Sequence, residues 1–141
     1  MAIRNVFDHV KQLTGEIESV DVDKLKSELA GKEELLLIDL REFQELIDSG
    51  GIPGAIHVPR GMLEFWADPN SPYGRDYFGE HKRTIVFCAS AGRSVYAVKA
   101  LEDMGFSNVA QLAGGFGSWK QAGEPIEDVA ATSRWMRREK E

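Results

Sequence analysis

One cysteine, Cys88, stands where the apolar run Thr84-Ile85-Val86-Phe87 gives way to Ala89-Ser90-Ala91-Gly92-Arg93-Ser94, and a helical pattern follows. The thiolate, not the thiol, is the nucleophile, and unpaired N–H groups at a helix N-terminus favour an anion. Residues 89–92 carry no side chain larger than serine, so the backbone there can curl and turn several N–H groups inward. That nest, the dipole of the following helix and the charge of Arg93 all favour the thiolate of Cys88. A cysteine buried as core filler, the commonest use of a free thiol, requires none of these features. Cys88 is therefore the expected centre of the chemistry.

Three charged residues could support it. Asp39 closes the apolar run Leu35-Leu36-Leu37-Ile38; it either accepts hydrogen bonds from the cysteine loop or caps the helix that follows. Arg41 and Arg60 follow strand ends on the same side and would steer anions by adding positive field, the plainer alternative being surface ion pairs. His9, His57 and His81 show no ligand spacing, so neither a metal nor another cofactor is expected. Trp66 and Trp119 read as packing residues.

The elements that must position these groups follow from periodicity. Ile3, Val6, Phe7, Val10 and Leu13 recur at helical spacing over the first 14 residues, ending at Gly15. A short strand over 17–20 precedes a helix capped by Asp21, with the stripe Val22, Leu25 and Leu29 and a stop at Gly31. Leu35 to Ile38 is too short for a helix and reads as a strand buried on both faces. Residues 39–49 read as a helix with Phe43, Leu46 and Ile47 inward, followed by a turn, a third strand over 55–58 and a helical turn over 61–66. Residues 68–80 hold two prolines and two glycines and read as a loop. After the strand over 84–87 comes a helix over 94–104, with Ala97, Val98, Leu101 and Met104 inward. Gly105 is its left-handed stop, with Phe106 folding back on Leu101. A strand over 109–112, a Gly114-Gly115 turn and a helix over 116–122 complete the pattern.

Strands alternating with helices predict an α/β fold with a parallel sheet and right-handed crossovers. Ligands in such sheets sit beyond the carboxyl ends of the strands, where Cys88 and Asp39 both fall. The chain has 141 residues, 43% hydrophobic and 28% charged, an ordinary globular mix. Its net charge of −6 argues against nucleic acid as a partner. One cysteine forbids an internal disulfide, and neither an apolar signal core nor a run of roughly 20 apolar residues is present. A cytoplasmic protein with no membrane partner is expected. The division expected is a helix over 1–16, the sheet domain over 17–125 and a helical tail over 126–141. The first helix packs on the domain or serves dimerisation, so a monomer or a homodimer is expected.

The segment Cys88-Ala89-Ser90-Ala91-Gly92-Arg93-Ser94 resembles the active-site loop of rhodanese-like sulfurtransferases. Asp39-Leu40-Arg41 with Glu45 is similar to the family's acidic-x-Arg element. Residues 51–59, Gly-Ile-Pro-Gly-Ala-Ile-His-Val-Pro, resemble its lead into the third strand. Residues 104–109 and Leu112-Ala113-Gly114-Gly115-Phe116 with Trp119 resemble its closing segment. Gly51 stands where the family usually has His, and Ala91 where close relatives often have Gly, a stiffening change if that position needs positive φ.

The resemblance implies an open, five-stranded parallel sheet with helices on both faces, and a Cys88 that accepts sulfane sulfur as a persulfide. The donor would be a small sulfur-containing anion such as thiosulfate; the acceptor would be cyanide or a thiol, the latter on a small molecule or on a protein. The N–H groups of residues 89–94 would hold the terminal sulfur, with Arg93 steering the donor. Two other functions are compatible with a cysteine loop. A phosphatase or arsenate reductase would use a loop with five residues between Cys and Arg, whereas four intervene here. A carrier module would relay or sense sulfur for a docked partner without free turnover.

Overall fold

The computed structural model describes residues 2–31 and 34–133. In chain order the elements are α1 (Val6–Thr14), β1 (Glu18–Val20), α2 (Val22–Ala30), β2 (Leu35–Asp39), α3 (Phe43–Ser49), β3 (Ile56–His57), a 3₁₀ turn (Arg60–Met62), α4 (Leu63–Ala67), β4 (Arg83–Phe87), α5 (Gly92–Met104), β5 (Val109–Leu112), α6 (Gly115–Gln121) and α7 (Val129–Thr132). The five strands form one parallel sheet in the order β1-β5-β4-β2-β3. Strand side chains alternate between two apolar layers, as the pleat requires. Leu36, Ile38 and Val86 meet Leu63, Ala97, Val98 and Leu101 from α4 and α5 on one face. On the other, Leu37, Ile85, Phe87, Ala110 and Leu112 meet Leu25, Phe116 and Trp119 from α2 and α6. Both faces are covered, which explains the consecutive apolar residues Leu35–Ile38 of β2 and Ile85–Phe87 of β4. No described helix is long and apolar enough to cross a membrane.

Most element boundaries match the periodicity within a few residues. Gly105 takes φ 111°, and the Phe106 N–H reaches the Leu101 carbonyl at 3.0 Å, closing α5 as expected. Residues 68–80 contain no helix or strand.

The N-terminal helix differs from its pattern. It begins at Val6, capped by the Asn5 side chain, and only Val10 and Leu13 are buried, against Val95 of α5, with His9 hydrogen-bonded to Tyr96 at 2.7 Å. Ile3, Val6 and Phe7, expected inward, are exposed. One neighbouring helix covers only part of the stripe, so periodicity overstated the buried face. Leu29, Phe43 and Met104 are likewise more exposed than their spacing predicts.

Glu127 pairs with Gly51 in a two-bond antiparallel bridge, so the start of the tail lies across the lead into β3. Gly51 is buried, and a Cβ there would rest 3.4 Å from Val129. Val129 of the chain's own tail thus lies over the position where the resemblance would place a histidine. The helical tail expected over 126–141 is represented by α7; residues 134–141 lie outside the described residues.

Candidate active site

Cys88 directly follows β4, at the carboxyl edge of the sheet between β5 and β2. It is 1% exposed, and its Sγ lies 3.5 Å from the Ser94 hydroxyl. Ala89 to Arg93 are partly or fully exposed above it, while Ser94 is buried.

The orientation of the loop comes from α6. Phe116 N–H donates to the Cys88 carbonyl at 2.8 Å, and Gly117 N–H to the Ala89 carbonyl at 3.0 Å. These are donors that the first turn of a helix leaves without intrahelical partners. In a trans peptide the carbonyl and the following N–H point opposite ways. Drawing the Cys88 and Ala89 carbonyls toward α6 therefore turns the Ala89 and Ser90 N–H groups away from it. The first-turn N–H groups of α5, from Gly92 to Ser94, add to this donor set.

Gly115 permits the approach. Its φ is +57°, and a Cβ on it would collide with the Cys88 carbonyl oxygen and come within 2.7 Å of that of Ser90. The sequence offered only a glycine doublet here, legible as a turn. Its role as a bearing surface for the cysteine loop is a tertiary fact. Ala91 has φ −148°, outside the left-handed region, so alanine replaces glycine without the stiffening that a positive φ would impose.

The charged residues are arranged differently from expectation. Arg41 is 1% exposed and does not face solvent as a steering charge. Asp39 Oδ1 accepts from its Nε at 3.0 Å and Oδ2 from Nη2 at 2.8 Å; Nη2 also donates to the Gly50 carbonyl at 2.7 Å. The guanidinium lies 4.1 Å from the centroid of the Phe116 ring. Asp39 therefore neither caps α3 nor bonds the loop; it holds Arg41, which braces α6 and so acts on the loop from beneath. The cap of α3 comes instead from Glu45, which accepts from the Glu42 N–H at 2.8 Å. Arg60 is engaged by Glu64 at 2.7 Å, the surface ion pair rather than a free cation.

Arg93 is also paired. Its two terminal nitrogens donate to Glu45 at 2.7 and 2.9 Å. Those hydrogen bonds, opposed by burial and assisted by the Glu42 N–H, hold the Glu45 carboxyl down at about 2. Glu45 pushes Arg93 upward in return. The pair is about one-third exposed on each side, so its share of stability is about 1 kcal/mol or less. Because the folded carboxyl titrates below its usual 4.5, that share is present above about pH 4.5 and disappears as pH falls toward 2. Urea melts of the protein and its Glu45→Gln variant are expected to differ at pH 6 and to converge near pH 2.

Two concavities of about 540 and 550 Å³ lie along the 67–83 segment, and neither is lined by the cysteine loop.

Fold and loop together define a parallel α/β protein with a lone cysteine at the carboxyl edge of its sheet, followed by a loop of small residues that leads into α5. The chain belongs to the rhodanese-like domain family, whose model matches residues 21–122. It is 31% identical over 110 residues to a putative sulfurtransferase of Bacillus subtilis, YtwF, covering 78% of this chain and 97% of that protein. A sulfurtransferase of Allochromatium vinosum is 29% identical over 110 residues, covering 78% and 94%. Among solved structures, a Rhodopseudomonas palustris protein of unknown function, described as a possible tyrosine phosphatase, superposes with a TM-score of 0.82 at 38% identity, covering 90% of this chain and 97% of that one. A thiosulfate sulfurtransferase of Pseudomonas aeruginosa gives 0.70 at 27% identity, covering 86% of this chain and 22% of that one.

Proposed function

We propose that the protein is a sulfurtransferase that carries sulfane sulfur as a persulfide on Cys88. The observation that carries this reading is the lone cysteine at the base of a loop whose Cys88 and Ala89 carbonyls are drawn to α6, with four residues before Arg93. The Cys88 thiolate attacks the outer sulfur of a donor such as thiosulfate; the donor's S–S bond breaks and sulfite leaves with the electron pair. An acceptor, cyanide or a thiol, then attacks the terminal sulfur of the persulfide, and the Cys88 thiolate is the leaving group. Loop N–H groups stabilise the terminal sulfur anion. A loop of four intervening residues is tighter than the five of cysteine phosphatases, which supports sulfur over a tetrahedral oxyanion despite the phosphatase description of one structural neighbour.

Treatment with thiosulfate is expected to add one sulfur atom to the intact protein, reversibly by a reducing thiol, and to add nothing to Cys88→Ala. Mass spectrometry reads this directly. An unmodified wild-type protein after several sulfane donors, or aryl phosphate hydrolysis lost in Cys88→Ser, would reverse the assignment.

One observation favours a second reading, a carrier that receives sulfur from a docked protein. Glu45 already neutralises Arg93, so the loop offers little free positive charge to a small dianion. Under that reading Glu45→Gln raises kcat/KM for thiosulfate about tenfold and makes it fall more steeply with salt. Unchanged thiosulfate kinetics in that variant would remove Arg93 pairing as the limit on free turnover.

A further inference from the structure

Gln111 is a buried amide within the otherwise apolar strand β5, 2% exposed. Its register partners are Ser19 on β1 and Val86 on β4, and Val86 belongs to the layer beneath α5. A buried amide is costly unless its hydrogen bonds are made. Here they form a line that ends at the reactive sulfur. Ser94 Oγ donates to Gln111 Oε1 at 2.7 Å, Gln111 Nε2 donates to Ser19 Oγ at 3.0 Å, and Cys88 Sγ–H faces Ser94 Oγ at 3.5 Å. Ser94 also lies 3.2 Å from the Ala91 carbonyl. Ser19 is exposed on the edge strand, so its hydroxyl can turn in water.

This arrangement suits a thiol. The single Ser94 proton is committed to a carbonyl oxygen, leaving a lone pair to accept from Sγ–H. A sulfur anion needs the opposite polarity, a hydroxyl proton aimed at sulfur. The two ends of a glutamine amide are nearly the same size, so the side chain can turn over without repacking. Nε2 then donates to Ser94, Ser94 donates to sulfur, and Ser19 donates to Oε1. Every member of the line stays bonded in both states.

We propose that Gln111 is a positioning residue for the Cys88 sulfur, its amide reversal switching Ser94 from accepting the thiol proton to donating to the sulfur anion, with Ser19 as the outer end. The inference rests on Cys88 being the sulfur-carrying nucleophile, and it names residues outside the loop that tune it.

The test is the pH profile of iodoacetamide alkylation, unambiguous because Cys88 is the only cysteine. Gln111→Met keeps the volume and removes both polar ends. It is expected to raise the alkylation midpoint by about one pH unit, the scale of a hydrogen bond to a charged group. Ser94→Ala should raise it similarly, and the double variant no further than Ser94→Ala alone. A fixed amide that merely competed for the Ser94 proton would leave the midpoint of Gln111→Met unchanged or lower it, and either result overturns the proposal. So does full additivity in the double variant. Should Gln111→Met fail to fold, Ser19→Ala decides at an exposed position: a smaller rise with unchanged Tm is expected, and no rise refutes the relay. Alkylation uses no sulfur donor, so failure of the wild-type protein to take up sulfur would sink the functional reading while leaving this result legible.

Discussion

Gly115→Ala is expected to lower sulfur transfer through Cys88 about a hundredfold while leaving the sheet folded. Two effects act together. An alanine at φ +57° costs about 1–2 kcal/mol of backbone strain. The larger effect on the site is steric: the new Cβ meets the carbonyl oxygens of Cys88 and Ser90, and sits 3.0 Å from the Ala89 carbonyl carbon. These are backbone atoms of the cysteine loop, so relief requires the loop itself to move. A displacement near 1 Å at a reacting centre costs about a hundredfold in rate, and it also breaks the Phe116 and Gly117 bonds that orient the loop peptides. Gly54→Ala is the control. Its φ is +86° but nothing lies within 4 Å of the added Cβ, so it carries the strain without the collision. The pair of variants, compared by persulfide formation rate and by Tm, separates the two effects. Equal losses of activity in both would deny Gly115 its role under the loop.

Asp39→Asn is expected to cost about 3–5 kcal/mol of stability, the penalty for leaving a buried charge without its partner. Arg41 has no solvent to turn to: it is 1% exposed, between the Phe116 ring and the Gly50 carbonyl. Tm should fall by about 10 °C or more, and the thiosulfate reaction should weaken with it because Arg41 braces α6. Replacing both members by apolar residues, Asp39→Leu with Arg41→Met, is expected to recover much of the lost stability, since buried ion pairs gain little over good packing. Recovered stability without recovered activity would assign the pair to positioning α6 under the loop. A single Asp39→Asn variant as stable as the parent would contradict the buried-pair account.

The sequence by itself determined the sheet and the place of the lone cysteine at its carboxyl edge. Continuous apolar runs at Leu35–Ile38 and Thr84–Phe87, alternating with helical stripes, can be satisfied only by a sheet covered on both faces. A lone cysteine followed by small residues and a helix is a local pattern, and local patterns survive into the fold because short-range sterics set them. Partners distant in sequence were not legible. Glu45 claims Arg93 across 48 residues, Gln111 reaches Ser94 across 17 and Ser19 across 92, and Gly115 lies beneath Cys88. The single-helix stripe of α1 misled for the same reason: spacing states which residues share a face, not how much of that face a neighbour covers. Only tertiary structure decided which charges are neutralised, which glycine must stay small, and which polar side chains run through the core to the sulfur. Each depends on the approach of elements that periodicity places on a face but cannot place in space.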